Sequence, residues 1–359
     1  MSDDVRARQC SRMIASKTIA IVDDESFDAH RAPRKHVECP ERLDAARSGV
    51  ARALGSAPRT TIAAREVRED EILRVHSREH LRALEGALRG SFGSIDADTY
   101  VAPGSRTAAW RAAGGAAELA RALVEDRARR GFALLRPPGH HAERDRAMGF
   151  CLLNNVAIAA AAALDAGAQR VAIVDWDVHH GNGTQDAFES DPRVMFVSLH
   201  QWPLYPGTGA PGEIGRGAGV GTTANLAMPP GSGPEEYGQA FRRVVLPLVS
   251  GFAPDLVLVS AGYDAHASDP LASMRLDAAS YGAMATALVD VAEQLGHGRV
   301  GFVLEGGYDL DALESSVEAT VRAALGARVA LPEGRTSGTS QAALDHTIRA
   351  LAPHRPELR

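Results

Sequence analysis

Val171-Ala172-Ile173-Val174 runs directly into Asp175-Trp176-Asp177-Val178-His179-His180-Gly181-Asn182-Gly183. Four small or branched apolar residues in succession read as a parallel strand buried on both faces. Extended geometry continued to His179 would project Asp177 and His179 to one side, because side chains two apart in a strand share a face. Trp176 and Val178 would then point the other way, toward core. A carboxylate and an imidazole converging at a strand end form half of a divalent-metal site, an oxygen and nitrogen pair that zinc accepts.

Three further segments repeat this design of an apolar strand discharging into polar chemistry. Phe132-Ala133-Leu134-Leu135 leads into Arg136-Pro137-Pro138-Gly139-His140-His141, Leu256-Val257-Leu258-Val259 into Ser260-Ala261-Gly262-Tyr263-Asp264, and Val300-Gly301-Phe302-Val303-Leu304 into Glu305-Gly306-Gly307-Tyr308. In an open α/β sheet, ligands bind beyond the carboxyl ends of the strands. Four strand ends therefore point at one site.

Between these segments, strands alternate with helices. Ile19–Val22 reads as the first strand. Helices are expected over Pro40–Leu54, with proline at the start, over Glu69–Leu88 as one or two pieces, and over the alanine-rich stretch Ser105–Arg130. More follow at Asn154–Ala166, Pro234–Ser250, Ser280–Leu295 and Leu310–Leu325. Such alternation predicts an α/β fold, a parallel sheet covered on both faces. Polar residues and glycines from Gly326 to Ser340 suggest a loose connection to a short final helix near Gln341–Leu351.

In order and spelling, the polar segments resemble the zinc-dependent histone deacetylase and acetylpolyamine amidohydrolase family, its class II and bacterial histone deacetylase-like members above all. The matching motifs are RPPGHHA at 136–142, GFC at 149–151, DWDVHHGNGTQ at 175–185, SAGYDAHASDPL at 260–271 and EGGY at 305–308. The resemblance runs from about Ile19 to about Leu325. It implies a single-domain arginase/deacetylase-like fold, with a mostly parallel central sheet, helices on both faces and the active site at the strand carboxyl ends. The organisation expected is an amino-terminal extension over 1–18, a catalytic domain over 19–325 and a carboxyl-terminal segment over 326–359.

On this resemblance Asp264 supplies the second carboxylate, so Asp177, His179 and Asp264 give three protein ligands and leave a fourth position open, as catalytic zinc sites do. The plain alternative makes the two aspartates helix caps or loop carboxylates. Ferrous iron suits the same ligands. Zinc polarises an amide carbonyl and lowers the pKa of bound water toward ~7, and such water still needs a proton acceptor. His141 is implied to take that proton and return it to the leaving amine. His140 would act through hydrogen bonding and electrostatics, with Asp175 orienting it. Asn182 stands where class I members carry aspartate beside the second histidine. An amide orients an imidazole without adding charge, so His141 is expected to be a weaker base than with a carboxylate partner. Adjacent histidines can also be merely exposed.

Tyr308 is implied to donate a hydrogen bond to the oxyanion, although a glycine pair before tyrosine is also a common turn. Gly149, Phe150 and Tyr205 match the walls of an acyl-lysine tunnel and Leu271 an apolar rim residue; ordinary core packing would account equally for Phe150. Asp98 matches a carboxylate that grips substrate amides. Arg42 matches an inner-cavity arginine, or is a solvated charge. Potassium is implied near the zinc through Asp175, Asp177, His179, Ser198 and Leu199, and at a second site through carbonyls around Phe188, Asp191 and Val194.

The expected activity is hydrolysis of an acyl amide, foremost on the ε-amine of lysine in a protein or peptide. Deacetylation of polyamines or another small acetylated amine stays open, as does a noncatalytic acyl-lysine binding module. Polyamine-selective relatives carry an acidic residue at the position of Leu271, and leucine offers a distant ammonium no charge. An arginase-like pair of metals would need further carboxylates where this chain has Gly181 and His266.

Composition adds boundaries. The 359 residues carry a formal charge of −6, against a basic surface built for nucleic acid. Cysteine occurs only at Cys10, Cys39 and Cys151, which fits reduced thiols in a cytoplasmic protein. The charged amino terminus is no secretory signal, and nothing offers the ~18 uninterrupted apolar residues of a membrane span. A homo-oligomer is compatible with all of this.

Overall fold

The computed structural model describes residues 18–359; Cys10 and the expected extension up to residue 17 lie outside it. Ten strands are found among the described residues: β1 (Ile19–Val22), β2 (Arg59–Ile62), β3 (Gly93–Ser94), β4 (Tyr100–Val101), β5 (Arg130–Ala133), β6 (Val171–Asp175), β7 (Val194–Gln201), β8 (Thr223–Met228), β9 (Leu256–Ala261) and β10 (Val300–Leu304). Apart from the antiparallel pair β3 and β4, they form one sheet in the order β2-β1-β5-β10-β9-β6-β7-β8. Every pairing in that sheet is parallel. The four strands singled out by their polar exits are β5, β10, β9 and β6, which are consecutive neighbours at its centre.

Both faces of this centre are dry, and the register shows how. Gly301 is paired with Gly131, and the next residues, Phe302 and Phe132, are paired with each other. Side chains alternate between faces along a strand. A side chain at Gly131 or Gly301 would run into Leu119 or Leu123 of the helix Ser105–Val124, so the glycine row lets that helix lie close on one face. On the other face Phe132 stacks on Phe302, whose ring is 5.9 Å from Trp176, and Trp176 lies edge-on to Tyr281 of the helix Ala278–Gln294. Trp176 and Val178 are fully buried.

Helix limits follow caps that periodicity alone does not mark. The side chains of Asn154, Asp277 and Asp309 accept from the third residue onward, at 3.0, 2.8 and 2.9 Å, each satisfying an amide left open in a first turn. The helix expected to reach Arg130 stops at Val124. After the last buried apolar residues come Glu125, Asp126 and Arg127; Asp126 adopts φ 57°, and the amides of Arg127 and Ala128 close back on Ala122. A left-handed residue there ends the helix and frees Arg130 to begin β5. The expected helix at Pro234 runs on to Phe252 through a π turn at Phe241–Val245. Pro247 cannot donate to the preceding turn, and a π segment is one way a helix absorbs such a gap. The final helix begins at Gly338, earlier than Gln341, because Ser337 caps it. It lies on β8, where Thr347 donates to Asn225 O at 2.7 Å, and Leu344 and Leu351 join the main core. No helix among the described residues is long and apolar enough to cross a membrane.

Candidate active site

Strand β6 ends at Asp175, and the chain bends through Asp177–His179. The extended geometry expected there is therefore not present. Two successive side-chain turns replace it: Asp177 N donates to Asp175 Oδ1 at 3.1 Å, and His179 N to Asp177 Oδ1 at 2.9 Å. Aspartate side chains readily capture the amide two residues on. The bend still brings Asp177 and His179 together.

Asp264, just beyond β9, completes the group. His179 Nδ1 is 3.2 Å from Asp177 Oδ1 and 3.1 Å from Asp264 Oδ2. Asp264 Oδ1 accepts Val178 N at 2.8 Å, and Asp177 Oδ2 accepts Gly306 N at 2.8 Å, so β6, β9 and β10 each fix one edge of the cluster. All three residues are buried, and one donor atom from each lies within 4.8 Å of the others. Side chains at Gly262 or Gly306 would collide with the carboxylates of Asp177 or Asp264; both positions leave room for the ligands and nothing more. Burial disfavours a charged imidazole, yet hydrogen bonds to Asp177 and Asp264 push His179 up to about 10. Burial together with the Asp177 charge raises Asp264 to about 7. Two buried carboxylates thus hold a proton where they call for positive charge, and the oxygen and nitrogen donors fit a borderline divalent cation.

The paired histidines sit beside this cluster on the turn that follows β5. His140 Nδ1 lies 3.0 Å from Asp175 Oδ2. Burial works against its charged form, but Asp177 and Asp175 outweigh it and raise the pKa well above the ordinary value. His141 goes the opposite way: burial, then the neighbouring His140 and His179, lower it well below that value. Its Nδ1 is 2.8 Å from Asn182 Oδ1, while Asn182 Nδ2 donates to Glu143 Oε1 at 2.7 Å. With its amide nitrogen committed to a carboxylate, Asn182 presents oxygen to His141. The imidazole accordingly carries its hydrogen on Nδ1 and keeps a lone pair on Nε2.

Tyr308 emerges from the turn after β10. Its ring meets the Arg42 guanidinium at 4.8 Å and the edge of Phe150 at 5.8 Å. Arg42 is fully buried, which excludes the solvated charge. Its Nε donates to Gly307 O at 2.6 Å, it also donates to Glu305 O, and Nη1 is 3.3 Å from Glu38 Oε1. Arg136 clasps the same Glu38 with both ends of its guanidinium.

A cavity of about 270 Å³ reaches the cluster, lined by Asp98, His141, Gly149, Phe150, His179, Leu204, Tyr205, Leu271 and Tyr308. Phe150 is thus a wall residue. Tyr205 stands edge-on to His141 at 5.2 Å and is partly exposed. Gly149 has φ 56° and lies flush on the His141 ring, where a Cβ would come within 2.5 Å of Cδ2. Thr99 binds the two rims, accepting from Phe150 N at 3.2 Å and donating to Asp98 Oδ1 at 3.0 Å. Burial and the adjacent Asp96 raise the pKa of Asp98.

Of the residues expected around potassium, His179 lines this cavity and the others do not. Ser198 and Leu199 are buried on β7, with Ser198 register-paired to Asp175. Phe188 ends the short helix Asn182–Phe188, Asp191 accepts from Arg193, and Val194 opens β7. Two participants went unassigned at the level of sequence. Glu305 accepts Gly139 N at 2.6 Å and His140 N at 3.1 Å, which ties the histidine turn to β10; its position immediately after an apolar strand was the available signal. Glu143, next after RPPGHHA, gave no signal, since its partner Asn182 is distant in sequence.

The family model described as Histone deacetylase domain matches residues 36–324. The chain belongs to the histone deacetylase family. Histone deacetylase 15 of Arabidopsis thaliana is 41% identical over 322 residues, which are 87% of this chain and 57% of that protein. A "Probable deacetylase" of Archaeoglobus fulgidus is 45% identical over 242 residues, 67% of each chain. The crystal structure of the HDA15 HD domain superposes with a TM-score of 0.88 at 38% identity, covering 95% of this chain and 97% of that one. Membership in the histone deacetylase family supports a hydrolase acting on an acetylated substrate.

Proposed function

We propose that this protein hydrolyses the acyl amide of Nε-acyl-lysine in proteins or peptides, with one divalent ion, zinc in the first instance, held by Asp177, His179 and Asp264. The carrying observation is that His179 of that cluster, His141 and Tyr308 line a single cavity walled by Phe150, Tyr205 and Leu271. When bound, the ion supplies Lewis acidity toward a carbonyl oxygen and toward water.

His141 suits the role of proton acceptor, being neutral with a free lone pair, and the same nitrogen can later return the proton to the amine. His140, held charged by Asp175 and Asp177, stabilises negative charge nearby without leaving its hydrogen bond. Tyr308 can donate its phenolic hydrogen to a developing oxyanion, a role in which a preset donor is most effective out of water. Phe150 and Tyr205 give an unbranched alkyl chain apolar walls, and Asp98 is placed to accept a substrate amide at the mouth. Potassium at the sites read from the sequence and a cytoplasmic location belong to the same proposal.

A second reading, deacetylation of a small amine such as acetylspermidine, draws support from Asp96 and Asp98 beside the cavity, since carboxylates there attract a distal ammonium. Turnover of acetyl-lysine peptides and acetylated polyamines, measured side by side at defined metal content, separates the two. Asp177→Ala and His179→Ala should each lose both bound zinc and turnover. Full zinc occupancy with normal turnover in both variants would sink the assigned site.

A further inference from the structure

We infer that Glu143 is a positioning residue for His141, acting through Asn182; the inference rests on the proposed deacylase reading. The chain is His141 Nδ1 to Asn182 Oδ1 at 2.8 Å and Asn182 Nδ2 to Glu143 Oε1 at 2.7 Å. An asparagine amide can turn over and exchange its oxygen for its nitrogen. Turned over, Asn182 would offer hydrogen to Nδ1, move the imidazole's own hydrogen to Nε2, and remove the lone pair that faces the cavity. The other contacts of Asn182 Nδ2 are weak, at 3.5 Å to His141 O and 3.4 Å to Met148 Sδ. The Glu143 carboxylate, an acceptor only, is therefore what holds the amide in its working orientation.

Glu143 is itself fixed. Its N donates to Arg146 O at 2.8 Å, and its O accepts His76 Nδ1 at 2.8 Å, while His76 Nε2 accepts Asn154 N at 2.9 Å. Asn154 in turn caps the helix Asn155–Asp165. The half-buried carboxylate is thus anchored through its backbone to a main element of the fold.

This arrangement carries a sign that a structural role lacks. Aspartate at position 182 has no wrong orientation, so it needs no Glu143; with Glu143 present, two carboxylates would meet at the 2.7 Å spacing, and like charges that close repel. Glu143 should help when residue 182 is asparagine and hinder when it is aspartate.

The test uses full-length, metal-loaded protein and two readouts. In steady-state kinetics on an acetyl-lysine peptide, Glu143→Ala should lower kcat about 10-fold with KM within about two-fold, the range typical of an outer partner. Glu143→Gln, which can still offer an amide oxygen, should keep kcat within about three-fold of the parent. Asn182→Asp should lose activity, and adding Glu143→Ala to it should raise kcat by about three-fold or more. In ¹⁵N spectra of histidine-labelled protein, with His141 assigned by its loss in His141→Gln, the parent should carry hydrogen on Nδ1 and Glu143→Ala should shift it toward Nε2. If Glu143→Ala does not fold, Asn182→Asp with Glu143→Gln tests the same sign. An unmoved His141 tautomer, or equal losses on removing Glu143 in both backgrounds, overturns the inference. Absence of turnover by the parent on every acyl amine refutes the deacylase reading instead, and the tautomer spectra still decide the role of Glu143.

Discussion

Tyr308 differs from phenylalanine by one oxygen, and its ring is already held between Arg42 and Phe150. Tyr308→Phe should leave the ring packed and the metal bound while kcat falls by about 10²-fold, the usual effect of removing an oxyanion donor. Metal content and kcat, measured on one preparation, check it; a loss below three-fold would return the phenol to a packing role. His141→Ala should likewise keep the metal and lose ~10²-fold in kcat. Leu271 and Asp98 both line the cavity, and Leu271 carries no charge. Leu271→Glu should raise kcat/KM for acetylspermidine relative to an acetyl-lysine peptide by only several-fold, because an exposed ion pair contributes about 1 kcal/mol. The gain should shrink with added salt. A shift that ignores ionic strength would mean the glutamate acts by shape.

At the scale of elements, four strand ends converge and one buried ion cluster ties two of them, the exits of β5 and β10, to the helix Glu41–Leu54. Glu38 binds Arg136 from the β5 exit and Arg42 from that helix, and Tyr100 Oη donates to it at 2.9 Å. Burial alone would raise its pKa, but the Arg136 guanidinium overrides burial and keeps the carboxyl ionised, well below the usual range. Glu38→Ala would leave two guanidiniums buried beside one another. A loss of about 3 to 5 kcal/mol in urea unfolding is expected, as for other broken buried pairs. Since Arg42 also donates to Gly307 O, turnover should fall along with stability. A loss under 1 kcal/mol would mean that water readily reaches the arginines.

For the whole molecule, several imidazoles are buried in their neutral form, and each of them sets the direction of its own contribution to stability against pH. Burial, with His80 adding to it, lowers His76 to about 3, and burial lowers His30 and His180 to about 4. Unfolded histidine titrates near 6.5, so between these values the unfolded chain binds more protons. These three groups should therefore contribute stability that is fully present above about pH 6.5 and declines as pH falls toward the folded values, by up to about 1.4 kcal/mol per pH unit per group, whereas His179, Asp264 and Glu305, whose values are raised, act in the opposite direction. Urea midpoints between pH 7.5 and 5, compared between the parent and His76→Asn, check this, the variant losing less stability on acidification. An equal pH dependence in the parent and the variant would contradict it.

The sequence by itself determined the α/β class, the four strand exits and the family, and put Asp177, His179, Asp264 and the paired histidines at those exits, because each rests on local spelling: apolar runs of strand length followed at once by polar residues. Even there the backbone differed, since Asp177 and His179 meet through side-chain turns instead of a continued strand. The edge strands β2 and β8, the interior strand β7 and the stop of one helix at Val124 went unread, because a strand without a distinctive polar exit gains its identity from partners and a cap from one unusual φ. Only the tertiary structure decided that Arg42 is buried on Glu38, that Glu305 ties the histidine turn to β10, and that Glu143 stands behind Asn182. Those contacts join residues from 4 to 166 positions apart, and their strength comes from exclusion of water, which no residue brings about alone.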